Sequence, residues 1–138
     1  MRIAVLGSGT IGQSWCALFL AAGHSVVAYD PDSTMEERII DFVQAARPAL
    51  ETLGYRFAGS VEQFRFSKSA TDAVEGAQFV QENAPEKTNL KHALFSEIES
   101  HLDYKAVILS STSGITLEAL QQGLRDPGRI VTVSYTHL

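Results

Sequence analysis

Apolar residues along this chain gather in short runs that alternate with longer stretches of helical spacing. The runs are "RIAVLG", "HSVVAYD", "AQFVQE", "KAVILSS" and "RIVTV". They are rich in β-branched residues, and most are continuously apolar, as strands buried on both faces of a parallel sheet must be. Between them, apolar positions recur every three or four residues over roughly 10–22, 33–53 and 87–102, with a shorter stretch at 116–123, and these predict helices. The segment "QFRFS" (63–67) alternates like a strand with one wet face, and "TDAVEGA" behind it reads as a short helix. Strands alternating with helices imply right-handed βαβ units. The expected fold class is α/β, a doubly wound, mainly parallel sheet with helices on both faces.

Ligands bind such sheets at the carboxyl ends of the strands. Those ends read "GSGT", "YDPD", "QENAPE" and "SSTSG", each rich in glycine or polar residues. The first opens Gly7-Ser8-Gly9-Thr10-Ile11-Gly12, a G-x-G-x-x-G sequence that follows a strand and starts a helix with the apolar set Ile11, Trp15, Leu18, Phe19 and Ala22. Gly7 permits a tight turn, Gly9 lets backbone approach a pyrophosphate, and Gly12 lets the helix pack on the strand. Free N–H groups at the helix start, from Thr10 and Ile11 onward, would bind the phosphates. Asp30 ends the second strand at the spacing where a carboxylate accepts from an adenosine ribose and repels a 2′-phosphate. Pro31, Asp32 and Ser33 follow without an Arg or Lys. The reading is a Rossmann-type domain with NAD, not NADP, as cofactor. A glycine-rich turn serving only helix packing, with Asp30 a solvated turn acid, is the plainer alternative.

Composition narrows the partners. The chain has 138 residues, a single domain's worth, with 45% hydrophobic and 20% charged residues. A formal charge of −5 argues against a general partner of nucleic acid or anionic membrane, both of which need a basic face. The lone Cys16 lies in the apolar run "WCALFL" and reads as a small core residue. "IAVLG" is too short for a signal or a membrane span, so a cytoplasmic location is expected. No His, Cys or acid cluster has metal-ligand spacing.

Three segments, "VLGSGTIGQSW", "AVEGAQFVQENAPEKTNLK" and "ILSSTSGI", give the chain up to about residue 132 a family likeness. It resembles the NAD-binding domain of the 3-hydroxyacyl-CoA dehydrogenase superfamily, and within it the lambda-crystallin branch that includes L-gulonate 3-dehydrogenase and carnitine 3-dehydrogenase. The resemblance implies reversible oxidation of a 3-hydroxy acid or 3-hydroxyacyl thioester, with hydride passing to nicotinamide. It places the nicotinamide-side contacts on Glu86 and Lys91, which taken alone would read as an exposed acid and base on a helix's first turns. It assigns Ser113 the hydrogen bond to the substrate's reacting oxygen. Ser111 and Thr112 read as strand-end and turn residues. The resemblance also implies a helical second domain, through which the full-length protein would form a homodimer.

Relatives carry the general-base His in an "HPFNPP"-like motif after the last strand of this region. Family spacing from Ser113 reaches Ser134, whereas His137 lies three residues on, a shift of roughly 10 Å along extended chain that reverses its face. His24 precedes the second strand, and His92 and His101 follow Lys91 on a helix. The tail "VSYTHL" also translates a common transposon-end sequencing adaptor in one frame. The expectation is therefore a Rossmann domain over 1–132, incomplete at its C-terminal end, a non-native tail over 133–138, and a chain without turnover. CoA-thioester relatives carry a Lys-rich helical hairpin after the second strand. Here 31–57 holds three Arg, no Lys and five acids, which favours a small free 3-hydroxy acid. A catalytically silent NAD-binding or redox-sensing module is the competing class. It would use the same glycines and Asp30 without Ser113.

Overall fold

The computed structural model describes residues 1–57 and 61–133. The six strands are β1 (Arg2–Leu6), β2 (Ser25–Tyr29), β3 (Phe64–Ser67), β4 (Phe79–Glu82), β5 (Val107–Ser110) and β6 (Ile130–Thr132). Five helices lie between them: α1 (Thr10–Ala21), α2 (Met35–Thr52), α3 (Ala70–Val74), α4 (Thr88–Ile98) and α5 (Leu117–Gln121). The strands pair in the order β3-β2-β1-β4-β5-β6, and every pairing is parallel. The order reverses between β1 and β4, which makes their carboxyl ends the switch point where a ligand crevice opens. Register aligns those ends: Leu6 stands beside Tyr29 on one side and Glu82 on the other, and Glu82 beside Ser110.

Each face of the sheet has its own core. On one, Val5, Val26 and Ala28 pack against Cys16, Ala17 and Leu20 of α1 and Ile39 and Val43 of α2. On the other, Ala4, Leu6, Val80 and Ile108 meet α3, α4 and α5 through Val74, Phe95, Ile98 and Leu120. Continuous strand burial thus has the expected cause, helices on both sides. Strand β3, at the sheet edge, packs Phe64 and Phe66 against the first of these cores and keeps Arg65 exposed, as its alternation predicts, whereas Ser67 on the Arg65 face is buried.

The stripe expected on α1 is rotated. Its buried residues are Gly12, Cys16, Ala17, Leu20 and Ala21, whereas Ile11 is 44% exposed and Trp15 stacks on Phe19 with centroids 5.1 Å apart at the margin of the core. The cause is Gly12. A Cβ there would lie 2.0 Å from the Gly7 carbonyl oxygen, so this face comes closest to the sheet and must carry small residues. Cys16 is fully buried, and loss of hydration pushes its thiol up to about 12, consistent with a packing role. Among the described residues no helix is long and apolar enough to cross a membrane. Ser134 and His137 lie outside the described residues.

Candidate functional site

The glycine turn leaves β1 through Gly7, whose φ of +88° suits glycine and whose Cβ would meet the Asn83 carbonyl carbon at 2.7 Å. Gly7 N–H donates to the Tyr29 carbonyl at 2.9 Å, and Gln13 Nε2 donates back to the Ser8 carbonyl at 2.9 Å. The two bonds lock the loop between β2 and α1. Gly9 differs from its neighbours: at φ −61° any residue is tolerated, and its Cβ would meet nothing within 4 Å. Nothing in the protein requires glycine there, so the space it leaves open is a cradle for a ligand pressed against the backbone. The helix start carries no side-chain cap and no acid in its first turn. The N–H groups at Thr10 and Ile11 would therefore meet an anion unopposed.

Asp30 stands across this loop. Its Oδ2 accepts from Ser8 N–H at 2.7 Å and its Oδ1 from Asp32 N–H at 3.0 Å, which leaves further lone pairs directed to a cleft of about 430 Å³ shared with Gly7, Gly9, Thr10 and Asn83. Arg38 of α2 also lines this cleft, so the rim is not free of cations, as the residues just after Asp30 suggested. Asp32 beside it is held below the ordinary carboxylate range by the Thr34 hydroxyl and N–H, with a smaller share from Arg38. A second cleft of about 370 Å³ continues past Asp30 between Tyr29, Pro31, Pro85, Leu90 and Leu94. Its apolar walls suit a flat heterocycle. Phosphate cradle, carboxylate and apolar slot lie in sequence, the order of the parts of an adenine dinucleotide.

The turns after β4 and β5 meet on the other side of β1. Glu82 is fully buried and paired with Lys91 at 2.6 Å. The same Oε1 accepts from Ala84 N–H at 2.6 Å, and Oε2 accepts from the Ser110 hydroxyl at 2.5 Å. Lys91 Nζ also donates to the Ala84 carbonyl at 2.9 Å. Lys91 is thus no exposed base. Its ammonium lies beneath the Ala84 turn, with no solvent-accessible surface of its own.

Above it, Glu86 Oε1 gathers the next turn, accepting from the Thr112 hydroxyl, from Ser113 N–H at 3.1 Å and from Gly114 N–H at 2.8 Å. Partial burial raises the Glu86 carboxyl, but those three donors and the charge of Lys91 outweigh it and hold the group below its ordinary value. Ser113 is exposed at the rim, its backbone fixed by Glu86. Thr112, which read as a turn residue, is 2% exposed and is the hydroxyl that engages Glu86.

The structure therefore brings Gly7, Gly9, Thr10 and Asp30 around one cleft, leaves Gly12 buried behind it against Gly7 and Ile11 outside its lining, and sets Glu86 and Ser113 against each other on the neighbouring turns. Sequence reasoning passed over Glu82, Ser110, Thr112 and Arg38. A buried acid at a strand end gives no local signal of its burial. Glu82 became findable only through Lys91 nine residues on, the spacing that carries chain from a strand end over one turn of the next helix. The described histidines stand elsewhere: His24 precedes β2, His92 Nε2 bonds the Ala119 carbonyl oxygen at 2.6 Å, and His101 is exposed beyond α4. Among the described residues no group of His, Cys, Asp and Glu could hold a metal ion.

Comparison with known proteins bears on the family, the fold and the cofactor. The sequence model of the family described as "3-hydroxyacyl-CoA dehydrogenase, NAD binding domain" matches residues 2–137. An L-carnitine dehydrogenase of Nocardiopsis dassonvillei is 43% identical over 129 residues, covering 94% of this chain and 39% of that protein. The L-carnitine dehydrogenase of Staphylococcus epidermidis is 37% identical over 137 residues, 99% of this chain and 43% of the relative. The chain thus spans about two fifths of the length of these relatives. Among solved structures, an NAD+-dependent dismutase, 5-formyl-3-hydroxy-2-methylpyridine 4-carboxylic acid 5-dehydrogenase, superimposes with a TM-score of 0.87 at 32% identity, covering 98% of this chain and 44% of that one. The 3-hydroxybutyryl-CoA dehydrogenase of Escherichia coli K12 shares the fold, with a TM-score of 0.86 at 24% identity over 98% of this chain and 29% of its own. The chain belongs to the 3-hydroxyacyl-CoA dehydrogenase family, as an NAD-binding domain of it.

Proposed function

We propose that this chain is the cofactor-binding part of an NAD-dependent dehydrogenase that oxidises the 3-hydroxyl of a small free acid of the carnitine type. The observation that carries the reading is the convergence of Glu86 on the Ser113 turn, 27 residues away in sequence, beside the phosphate cradle. Glu86 and the loop held by Lys91 would meet the nicotinamide side of NAD. Ser113 would donate to a carbonyl or accept from an alcohol at the reacting carbon, which suits a reaction that runs both ways. Gly7, Gly9, Thr10, Ile11, Gly12 and Asp30 would hold the rest of the cofactor. When bound, NAD supplies the hydride acceptor; these residues orient it and the substrate oxygen.

A base must take the alcohol proton as hydride leaves, and a His suits that role near neutral pH. None of the described histidines stands at the strand ends, so we assign the base to a group outside residues 1–133. The choice of a free acid rests on the net-acidic stretch 31–57, a poor surface for a polyanionic thioester, and on the L-carnitine dehydrogenases among the relatives. Dimerisation through a helical second domain belongs to the same proposal.

The test is NADH formation by the full-length protein carrying this domain, offered L-carnitine, L-gulonate and 3-hydroxybutyryl-CoA in turn. Turnover of a free acid, abolished or cut at least about a hundredfold by Ser113→Ala, is expected. Turnover of the thioester alone would remove the free-acid assignment. No turnover with any of the three, despite bound NAD, would favour the silent NAD-binding module.

A further inference from the structure

We infer that Asn83 is a cofactor-binding residue whose side-chain amide donates a hydrogen bond to the pyrophosphate of NAD. The residue follows β4, and its backbone N–H is tied to the Leu6 carbonyl at 2.7 Å. That bond sets it against the glycine turn at the switch point of the sheet.

Its side-chain carbonyl is fully engaged. Oδ1 accepts from the Ser111 hydroxyl at 2.7 Å and from Gln81 Nε2 at 3.2 Å, and Gln81 Nε2 also donates to Ser111 Oγ at 2.8 Å. The three side chains close a ring in which Gln81 donates twice, Ser111 accepts and donates once, and Asn83 Oδ1 accepts twice. Nδ2 donates one N–H to the Gln81 backbone carbonyl at 3.4 Å, which fixes which end of the amide is nitrogen and leaves its second N–H for another acceptor.

With Oδ1 held inward, Nδ2 is turned toward the start of α1. It lies 3.5 Å from where a Gly12 Cβ would stand, and Asn83 lines the same cleft as Gly7, Ser8, Gly9 and Thr10. The free backbone groups at the start of α1 are donors, so the second N–H of Nδ2 and those groups can share one acceptor brought by a ligand in this cleft. Two sets of donors lining one cleft suit an anion between them. The pyrophosphate assigned to the Gly9 cradle is that anion, so this role rests on the NAD reading.

Substitutions separate this contact from a purely structural role. Asn83→Asp keeps the shape and an oxygen to accept from Ser111 and Gln81, but turns a second carboxylate oxygen toward the phosphates. Asn83→Ala removes the donor and the ring together, without adding charge. Titration of the chain with NAD and with ADP-ribose should show Asp the worse of the two, weakening both ligands by about tenfold or more, with Ala causing a smaller loss. Thermal melting of the ligand-free chains reads the structural cost of each variant separately, since the second Asp oxygen also faces the Gln81 carbonyl. If Ala weakens binding more than Asp, or if Asp binds as the parent does, the amide serves only the ring and the assignment falls. If the parent chain binds neither NAD nor ADP-ribose, the cofactor reading itself fails, and this role with it.

Discussion

Single residues at this site separate folding from binding, and the glycines do so most sharply. Gly12→Ala drives a methyl into the Gly7 carbonyl oxygen at 2.0 Å, a clash with backbone that no rotamer relieves. It should cost at least about 3 kcal/mol of stability or prevent folding. Gly9→Ala enters open space and should change stability by about 1 kcal/mol or less. The same substitution should weaken NAD by tenfold or more, because the methyl occupies the cradle. Denaturant melts paired with NAD titrations distinguish the two, and equal effects on folding and binding at Gly9 would argue against the cradle. Asp30 makes a second case. Its carboxylate stands near Arg38 in one cleft, so Asp30→Ala removes the repulsion toward a 2′-phosphate and leaves the cation in place. The ratio of NAD to NADP affinity should fall toward one, and Arg38→Ala in that background should weaken NADP more than NAD. An unchanged ratio in Asp30→Ala would remove the role given to Asp30.

Between elements, the β4–α4 and β5–α5 turns are joined by two acids that behave differently. Glu82 is the deep one, without solvent contact and bonded to Lys91, Ser110 and Ala84. Removing either partner leaves a buried charge alone, so Glu82→Ala or Lys91→Met should each cost about 3–5 kcal/mol, while Glu82→Gln combined with Lys91→Met should recover much of that loss. A double variant as unstable as the sum of the singles would mean the pair is not coupled. Glu86 is the shallow acid, and its folded-state value is depressed. Its contribution is therefore present above the unfolded carboxylate value, about 4.3, and is lost as pH falls through the lower folded value. The stability gap between the parent and Glu86→Gln should be widest near neutrality and close in acid. A gap independent of pH would mean the carboxylate charge is not what holds the Ser113 turn. Strands and helices were legible in the sequence because periodicity reports burial averaged over an element. The burial of Lys91 and the engagement of Thr112 were not, because both depend on partners on another turn, and such bonds leave no periodic trace. The rotated face of α1 was hidden for a related reason. Gly12 sets the helix's closest approach through a steric contact with Gly7, and hydrophobicity counts had favoured Ile11 and Trp15.

At the scale of the whole molecule, the parallel sheet gathers the ends of β1, β2, β4 and β5 into one row, and the site is built from turns that no single βαβ unit contains. Ligand binding and global stability should therefore be linked. On the proposed reading, NAD held by the glycine turn and Asp30 on one side and by the Asn83–Glu86 turn on the other would bridge both halves of the sheet. It would then bind only when β1 and β4 are paired. A ligand that binds the folded state alone stabilises it by about 2.7 kcal/mol at a hundred times its dissociation constant. Saturating NAD should raise the melting temperature of the 138-residue chain by several degrees, with ADP-ribose achieving most of that shift and NADP little of it. The same chain, holding cofactor, should form no NADH from L-carnitine, because none of its described histidines reaches the strand ends. A melting shift without turnover would fit a domain that binds and orients NAD while the base comes from elsewhere. Robust oxidation by this chain would overturn that division, and no shift with NAD would mean that the strand ends do not form one site.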